Sequence, residues 1–372
     1  EASQAISGPA TRAPESQAKA LRKVPVSSSG GFSYDVPFDV PAGRLGMTPS
    51  LGLSYSSSSF RSDSVVGAGW SMALPSISRS TRAGFPKTIL NVEQCQSDYG
   101  YDDDAASFEG PSGELIDLPS GEAVPSRAPQ TGKWFVAKRE NAPVRYHYRA
   151  NEEGGTWTEY LPSGRVRHYG ASPLATSIES VPGLTGSGDA AVGDARIVNE
   201  LGTHSWLLVY EEDTHGNYIR YQYHHAADAL RDNKLTPQTL PIISHIAWGG
   251  NRKTLQPESF HAKFETEDFA GKIDMLNGRT KMTQRIDRIR VVEGSAELWR
   301  FELNYSPRPN GYRSLLSKVE RIGADDRVQS WDFGYQLGRP DQDGSRTAAS
   351  GEPLAAGSDL YVQHDYLCNS SD

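Results

Sequence analysis

The feature that most constrains this fold is a two-residue alternation of apolar and polar side chains that recurs through the middle of the chain. It is clearest in Ser50–Tyr55, Trp206–Tyr210, Tyr218–Tyr223, Ile286–Val292 and Leu298–Tyr305. Successive residues of a strand point to opposite faces of a sheet, so this alternation is typical of strands with one buried face. Clusters of Gly, Pro, Asn and Asp separate the runs and favour hairpins. We therefore predict an all-β, mainly antiparallel fold: a large curved or partly closed multi-hairpin sheet with little helix.

The composition supports this prediction and excludes two other classes of protein. The 372 residues include 36 Gly and 23 Pro, above the roughly 12% that these two residues make up on average, which favours many turns. The longest run of aromatic and aliphatic residues, Trp206–Tyr210, is far shorter than the ~20 residues of a membrane helix, so no membrane span is expected. The net charge of -8 and the lack of a basic stripe argue against a nucleic-acid partner.

Composition shifts divide the chain into three parts. Residues 1–30 are rich in Ala, Ser, Gln and Lys and predict a disordered leader, residues 31–337 form the β domain, and residues 338–372 resemble a linker or tail towards a further C-terminal region. The first residue is Glu1, which we interpret as a processed or trimmed end. The two cysteines, Cys95 and Cys368, lie far apart in sequence, and their spacing leaves open whether they pair.

A weak internal repeat is present in three places. Tyr160–Tyr169, Tyr210–Tyr221 and Val319–Tyr335 each read as a strand, a polar turn containing Gly, and a second strand with a Tyr near its end. Hairpins of one design, placed side by side, would build a long sheet by neighbour stacking. Ordinary convergence of hairpin sequences is the alternative.

Two stretches near the start of the chain are more distinctive than the repeat. The first is Val40–Ser57, which contains a turn ending in Pro49 and then an alternating strand; the second is Val66–Met72, followed by Leu74–Arg79. In the second stretch, Gly67 and Gly69 flank Trp70, and glycines allow the chain to turn tightly while the indole is buried.

Together these stretches resemble the opening of the SpvB/TcaC N-terminal domain family, found in the B component of bacterial insecticidal toxin complexes and in the Salmonella plasmid virulence protein. Met72 stands where the family usually has Leu. Further matches occur at Gly164–Gly170, Asp213–Asn217 and Ser314–Val319, so the resemblance covers roughly residues 31–336. The positions that carry the family's structural motif are Pro49, Leu51, Leu53, Tyr55, Gly67, Gly69, Trp70, Ile77, Arg79, Gly164, Gly216 and Asn217.

The resemblance implies a structural role without catalysis. In such toxins this domain joins Tyr-Asp-repeat (RHS) strands in a β shell around a toxic C-terminal segment, so RHS-like strand-turn-strand units are expected here. The expected partners are other domains or subunits of a toxin complex, namely the RHS-type shell and a pore-forming subunit, and the expected location is extracellular after secretion. No catalytic residue, cofactor or metal ligand is implied, since any ADP-ribosyltransferase activity would lie in a separate C-terminal domain.

Motifs for chemistry are weak throughout the sequence. Glu265-Thr266-Glu267 has the Glu-x-Glu form of an ADP-ribosyltransferase, but no Ser-Thr-Ser strand precedes it; we interpret it as a chance match in a polar turn. Asp102–Asp104 and Asp341–Gly344 lack the ligand spacing of a calcium loop.

Two rival hypotheses for the function stay open. One is a carbohydrate- or protein-binding adhesin-like module, in which the 17 Tyr and 7 Trp line a sugar platform. The other is an enzyme without a recognisable motif.

Overall fold

The computed structural model describes residues 32–59, 64–72, 74–80, 107–126, 129, 131–151, 154–171, 195–199, 202–224, 230–231, 234–235, 240–275, 280–307 and 314–335. The predicted leader, the predicted linker, Cys95 and Cys368 all lie outside these residues. The described chain is nearly all β and its strands pair antiparallel, which confirms the predicted fold class. Only two short 3-10 turns, Arg44–Gly46 and Ser57–Ser59, interrupt the strands among the described residues.

The strands are numbered in chain order, and their bounds are β1 (Ser33–Phe38), β2 (Leu51–Ser56), β3 (Trp70–Met72), β4 (Ser76–Arg79), β5 (Phe108–Gly110), β6 (Gly113–Asp117), β7 (Lys133–Ala137), β8 (Arg145–Arg149), β9 (Thr156–Tyr160), β10 (Val166–Tyr169), β11 (Arg196–Asn199), β12 (Gly202–Glu212), β13 (Asn217–His224), β14 (Leu230–Arg231), β15 (Lys234–Leu235), β16 (Ile242–Asn251), β17 (Phe260–Met275), β18 (Thr280–Glu293), β19 (Ala296–Pro307), β20 (Ser314–Gly323) and β21 (Val328–Asp332).

Eight strands close into a barrel. The order β10-β9-β8-β7-β6-β5-β4-β12 returns on itself because β12 also pairs with β10. Closure depends on the length of β12: Ser205–Leu207 pair with β4, and Leu208–Glu212 span the pairing with β10. Closing a sheet leaves no free edge in the ring.

The barrel interior is filled by aromatic side chains. Trp157 and Trp206 are fully buried, and Trp157 packs at 4.8 Å from the ring of Tyr148, 4.9 Å from Phe108 and 5.1 Å from Phe135. Tilted and edge-on contacts at these separations are favourable for aromatic pairs. The barrel therefore has a packed core at this level.

An open sheet grows from the same strand that closes the barrel. The end of β12, Tyr210–Glu212, pairs with β13, and the sheet then runs β13-β16-β17-β18-β19-β20-β21. One face of this open sheet is apolar, and the three-stranded sheet β1-β2-β3 covers it: the rings of Phe38 and Phe301 stack at 4.2 Å. The indole N–H of Trp248 donates to the Pro41 carbonyl at 3.0 Å, and that of Trp299 donates to the Asp39 carbonyl at 2.9 Å.

The alternation predicted for Ile286–Val292 is broken near its start. Ile286 and Ile289 are both fully buried although they are three residues apart. The register shifts here, because Glu265 pairs with Arg288 and Thr266 with Ile286, which leaves Asp287 as the extra residue of a bulge. A bulge resets the side-chain alternation by one residue, so the apolar face stays continuous.

In the part of the chain that is described, no helix is long and apolar enough to cross a bilayer.

Candidate functional site

The structure brings three residues of the predicted motif, Tyr55, Gly67 and Gly69, together around Trp70. Gly67 and Gly69 have φ of +107° and +77°, in the region that favours glycine, and they turn the chain so that Trp70 enters the protein. The indole N–H donates to the Tyr335 hydroxyl at 2.7 Å, and this hydroxyl donates to the Leu316 carbonyl at 2.7 Å. The end of the described fold is thereby tied to its beginning.

Aromatic contacts extend this junction. Trp70 lies 5.3 Å from the ring of Tyr55 and 4.6 Å from that of Phe333. Burial raises the pKa of Tyr335 to about 12, with the Trp70 hydrogen bond acting in the opposite direction. The junction is therefore a packing site in which burial disfavours ionisation of the Tyr335 hydroxyl.

The remaining motif residues up to Arg79 divide between two layers. Pro49 and the β2 residues Leu51 and Leu53 are buried between β2 and the open sheet. Ile77 and Arg79 belong to β4 and enter the barrel instead. The Arg79 guanidinium lies between two aromatic rings of the barrel core, about equally far from each, and donates to the Thr203 carbonyl at 2.8 Å. The motif thus spans both layers.

Three hairpin turns share one hydrogen-bond pattern, at the positions where the repeat was predicted. In Leu161–Arg165, Asp213–Asn217 and Gly323–Arg327, the first N–H donates to the fifth carbonyl at 2.9–3.0 Å. In each turn the fourth N–H also donates back to the first carbonyl, at 2.9–3.1 Å. The fourth residue has a left-handed φ of +80° at Gly164, +87° at Gly216 and +57° at Asp326. The internal repeat is therefore a repeat of turn geometry.

Neighbouring turns also lock together at this end of the sheet. Asp213 accepts from the backbone N–H groups of His215 and Asn217 and from the Asn217 side chain, at 2.8–2.9 Å. The Asn217 side-chain oxygen in turn accepts from Asn251 Nδ2 at 2.8 Å. Gly216 lies against Lys253, and a Cβ at this position would come within 2.8 Å of that side chain. Asn217 consequently acts as a link between two hairpins.

A row of charges crosses the barrel near these turns. Glu159, Arg167 and Glu211 are register partners on β9, β10 and β12, and both carboxylates are buried. Arg167 donates to Glu211 and, at 3.4 Å, to Glu159, while the Tyr169 hydroxyl donates to Glu159 at 2.5 Å. Burial, with the Glu159 carboxylate beside it, raises the pKa of Tyr169 well above its usual value. Every carboxylate in the row has a cationic or hydroxyl partner, so the row reads as structural.

The polar face of the open sheet carries a second arrangement of charges. Three glutamates and three arginines alternate around a closed ring on β17, β18 and β19. The ring members, in order, are Glu265, Arg288, Glu302, Arg300, Glu297 and Arg290. Five of the six contacts are hydrogen bonds of 2.6–3.3 Å, and the sixth is an ion pair at 3.7 Å. The ring is half-exposed and neutral as a unit.

The position of these charges also tests our interpretation of the Glu-x-Glu match. Our prediction of a polar turn at Glu265–Glu267 was wrong, since these residues lie within strand β17. Glu265 and Glu267 are two residues apart and so lie on the same face of β17; Glu265 belongs to the ring, and Glu267 pairs with Arg285 at 2.7 Å. Within the described ranges, no group of three or more His, Cys, Asp and Glu could hold a metal ion.

The aromatic residues are mostly internal. All seven Trp fall within the described residues; four of them are buried and three are half-buried. The large hydrophobic side chains that are exposed in the described chain are aliphatic: Leu45, Ile116, Val124, Leu255 and Val328. A stacking platform for sugars needs exposed aromatic faces, so this distribution does not favour the carbohydrate-binding hypothesis.

The barrel with its open sheet is a fold shared with toxin-complex proteins. The chain matches the structure "TcdB2-TccC3-Cdc42" with a TM-score of 0.59 at 18% identity, over 83% of this chain and 16% of that one. It matches a Photorhabdus luminescens Tc holotoxin pore with a TM-score of 0.56, also at 18% identity, over 82% of this chain and 16% of that one. The chain thus spans about one sixth of the length of these proteins, and the likeness at this identity concerns the fold.

A more specific match is to SpvB. Residues 26–97 match the sequence model of the family described as "SpvB: Salmonella virulence plasmid 65kDa B protein". The N-terminal domain of effector protein SpvB from Salmonella typhimurium strain LT2 matches with a TM-score of 0.53 at 16% identity, over 80% of this chain and 99% of that domain. The resemblance predicted from residues 40–79 is therefore confirmed. No curated protein matches the sequence.

Proposed function

We propose that this chain is a non-enzymatic structural module of a secreted toxin-type protein, and that it extends a β shell around a toxic segment located elsewhere in the protein. The observation that carries the proposal is the asymmetry of the sheet: one end is closed by the barrel, and the other ends at β21, which has no second neighbour among the described strands. The likeness to toxin-complex proteins and to the SpvB domain supports the same role.

The free edge of β21 is suited to receive another strand. Phe333 N–H donates to the Ser317 carbonyl, and Gly323 N–H donates to the Arg327 carbonyl. In an antiparallel pair, residues whose N–H and C=O groups point towards the neighbouring strand alternate with residues whose groups point away from it. Ser330 and Asp332 therefore direct their N–H and C=O groups away from β20. We infer that the partners are RHS-type shell strands, with a pore-forming subunit beyond them.

The edge can be tested with Ser330→Pro. Proline removes an outward N–H and is tolerated on edge strands, so the melting temperature of the isolated chain should change little. In the full-length protein, we expect the toxic segment to lose its resistance to limited proteolysis, whereas Ser330→Ala, which keeps the N–H, should preserve it. Full protection in the proline variant would contradict continuation of the sheet at β21.

The absence of catalysis is tested separately. The purified chain should show no NAD glycohydrolase, ADP-ribosyl transfer or hydrolase turnover, because the charged clusters described above are internally paired. Turnover that co-purifies with the chain and is lost on substitution of Glu159 or Glu211 would establish an enzyme and refute the proposal.

A further inference from the structure

Two leucines occupy positions that both the backbone and the solvent disfavour. Among the described residues, three non-glycine residues have a left-handed φ: Leu45 at +48°, Leu255 at +53° and Asp326 at +57°. The two leucines are also the most exposed of the large hydrophobic side chains, at 74% for Leu45 and 88% for Leu255. Left-handed backbone is unfavourable for a residue with a Cβ, and Gly or Asn is the usual solution.

The chain uses that usual solution in comparable turns. Gly164 and Gly216 hold the left-handed position of their hairpins, and a short polar residue, Asp326, holds the third. Leucine at Leu45 and Leu255 therefore adds backbone strain and exposed apolar surface without a fold-level reason. Strained, over-exposed residues of this kind are concentrated at binding sites.

The two leucines lie at the same end of the sheet. Arg44, which precedes Leu45, donates from Nε to the Gly249 carbonyl at 3.0 Å. Two residues beyond Gly249, Asn251 forms the backbone bridge with Gln256 that closes the turn carrying Leu255. The loop that carries Leu45 thus contacts β16 close to the end from which the turn carrying Leu255 projects.

Cations surround these tips. Arg44 and Lys253 are exposed, and Arg252 is more than half-exposed. Arg252 pairs with Glu212 at 2.8 Å, and Asp213 accepts the hydrogen bonds of its own turn, so Arg44 and Lys253 are the cations here that have no carboxylate partner among the described residues. The surface around the two leucines thus presents the two cations Arg44 and Lys253, although the net charge of the chain is -8.

We propose that Leu45 and Leu255, with Arg44, Arg252 and Lys253, form a docking surface for an anionic lipid bilayer. Exposed leucines would enter the boundary between headgroups and acyl chains, while the cations stay at the anionic headgroups. Convex tips on two independent loops suit a fluid surface that adapts to their spacing, and basic flanks match its charge. This peripheral contact is independent of the proposed shell function.

The test is sedimentation of the purified chain with vesicles of phosphatidylcholine containing 30% phosphatidylserine, and with pure phosphatidylcholine vesicles. We expect binding to the anionic vesicles that weakens as salt is raised. Leu45→Asn and Leu255→Asn should each weaken binding by about tenfold, since each removes the apolar area that is buried on insertion. Val328→Asn is the matched control, because Val328 is 58% exposed on the distant edge strand β21; it should bind as the parent does.

Stability distinguishes a docking role from a packing role. Asn tolerates left-handed backbone, so Leu255→Asn should keep the melting temperature or raise it by about 1–3 °C. A fall in melting temperature would show that the leucine packs within the fold and would overturn the proposal. Absence of vesicle binding at low salt would overturn the proposal as well, and so would binding that the asparagine variants leave unchanged. A protein found to cover the two leucines in place of a bilayer would also overturn it.

Discussion

The barrel and the open sheet use the same strand type but differ in how they are completed. Each barrel strand has at least two neighbours, and the interior is filled by the barrel's own aromatic residues around Trp157. The open sheet takes its cover from β1–β3 and from the segment that ends at Tyr335. A closed sheet can stabilise itself, whereas an open one depends on segments that are distant in sequence.

The two regions also treat charge differently. The barrel buries Glu159 and Glu211 on either side of Arg167, in low-dielectric surroundings. The open sheet keeps its alternating ring half-exposed. Breaking a buried pair leaves an uncompensated charge, while half-exposed pairs are weak and are screened by salt. The barrel should therefore be sensitive to single substitutions where the ring is not.

The largest expected effect is in the barrel core. Trp157→Ala should lower the free energy of unfolding by about 3–5 kcal/mol, because it empties a space lined by other aromatic rings. Urea unfolding measures this loss. The control is Trp134→Ala on the outward face of β7, where the side chain is only half-buried. Equal losses in the two variants would contradict a self-packed barrel.

Trp70→Ala tests the dependence of the open sheet on its cover. We expect a loss of about 3 kcal/mol, with faster hydrogen exchange in β2, β3 and β20 and unchanged exchange in β7–β9. Trp70→Phe keeps the ring contacts but removes the hydrogen bond to Tyr335, which should cost about 1 kcal/mol. An unchanged melting temperature in Trp70→Ala would show that the cover is dispensable.

Acid should destabilise both regions through half-buried histidines. Burial lowers the pKa of His168 in the barrel to about 4, and lowers that of His245 in the open sheet to about 3 with added repulsion from His261. The unfolded chain then binds protons first as pH falls below about 6.5, so stability is present at neutral pH and is lost towards the folded-state values. Between pH 7 and pH 5 each histidine should remove about 1–2 kcal/mol.

Thermal melts at the two pH values, with His245→Gln and His168→Gln as variants, assign this loss to a region. Each substitution should flatten the pH dependence of the melting temperature. A slope that neither substitution changes would mean that carboxylates, and not these histidines, carry the acid sensitivity.

The smallest effect is expected in the ring of the open sheet. Glu297→Gln should cost about 0.5 kcal/mol at low salt and nothing measurable at 1 M salt. Glu211→Gln in the barrel should cost several-fold more and keep its effect at high salt, because the half-buried Arg167 would then face a neutral partner at the buried position of Glu211. Similar salt dependence in the two variants would remove the distinction between the regions.

Local features of the fold could be predicted from the sequence. The alternation in Tyr218–Tyr223 marks β13, and the Gly-containing turns marked the hairpins whose geometry is repeated at Gly164 and Gly216. Strand pattern and turn chemistry are both set by residues a few positions apart, so they are visible in a linear reading.

Features that depend on long-range register could not be predicted. Barrel closure requires β12 to pair with both β4 and β10, and no local pattern specifies those neighbours. The bulge at Asp287 shifts the inward set by one residue, which a strict two-residue count misses. The charged ring exists only because β17, β18 and β19 align in one register, so its six members look like an ordinary wet strand face in the sequence.

The tie between Trp70 and Tyr335 has a consequence for transplanting this fold. Phe32, the first residue of the described fold, lies 5.8 Å from the ring of Tyr55, and Tyr335, the last, lies 6.3 Å from the same ring. The chain therefore enters and leaves the described fold beside the same residue, Tyr55. The whole unit could be inserted into a surface loop of an unrelated host protein without a large displacement of the two ends of that loop. The reason is that both splice points lie beside the ring of Tyr55.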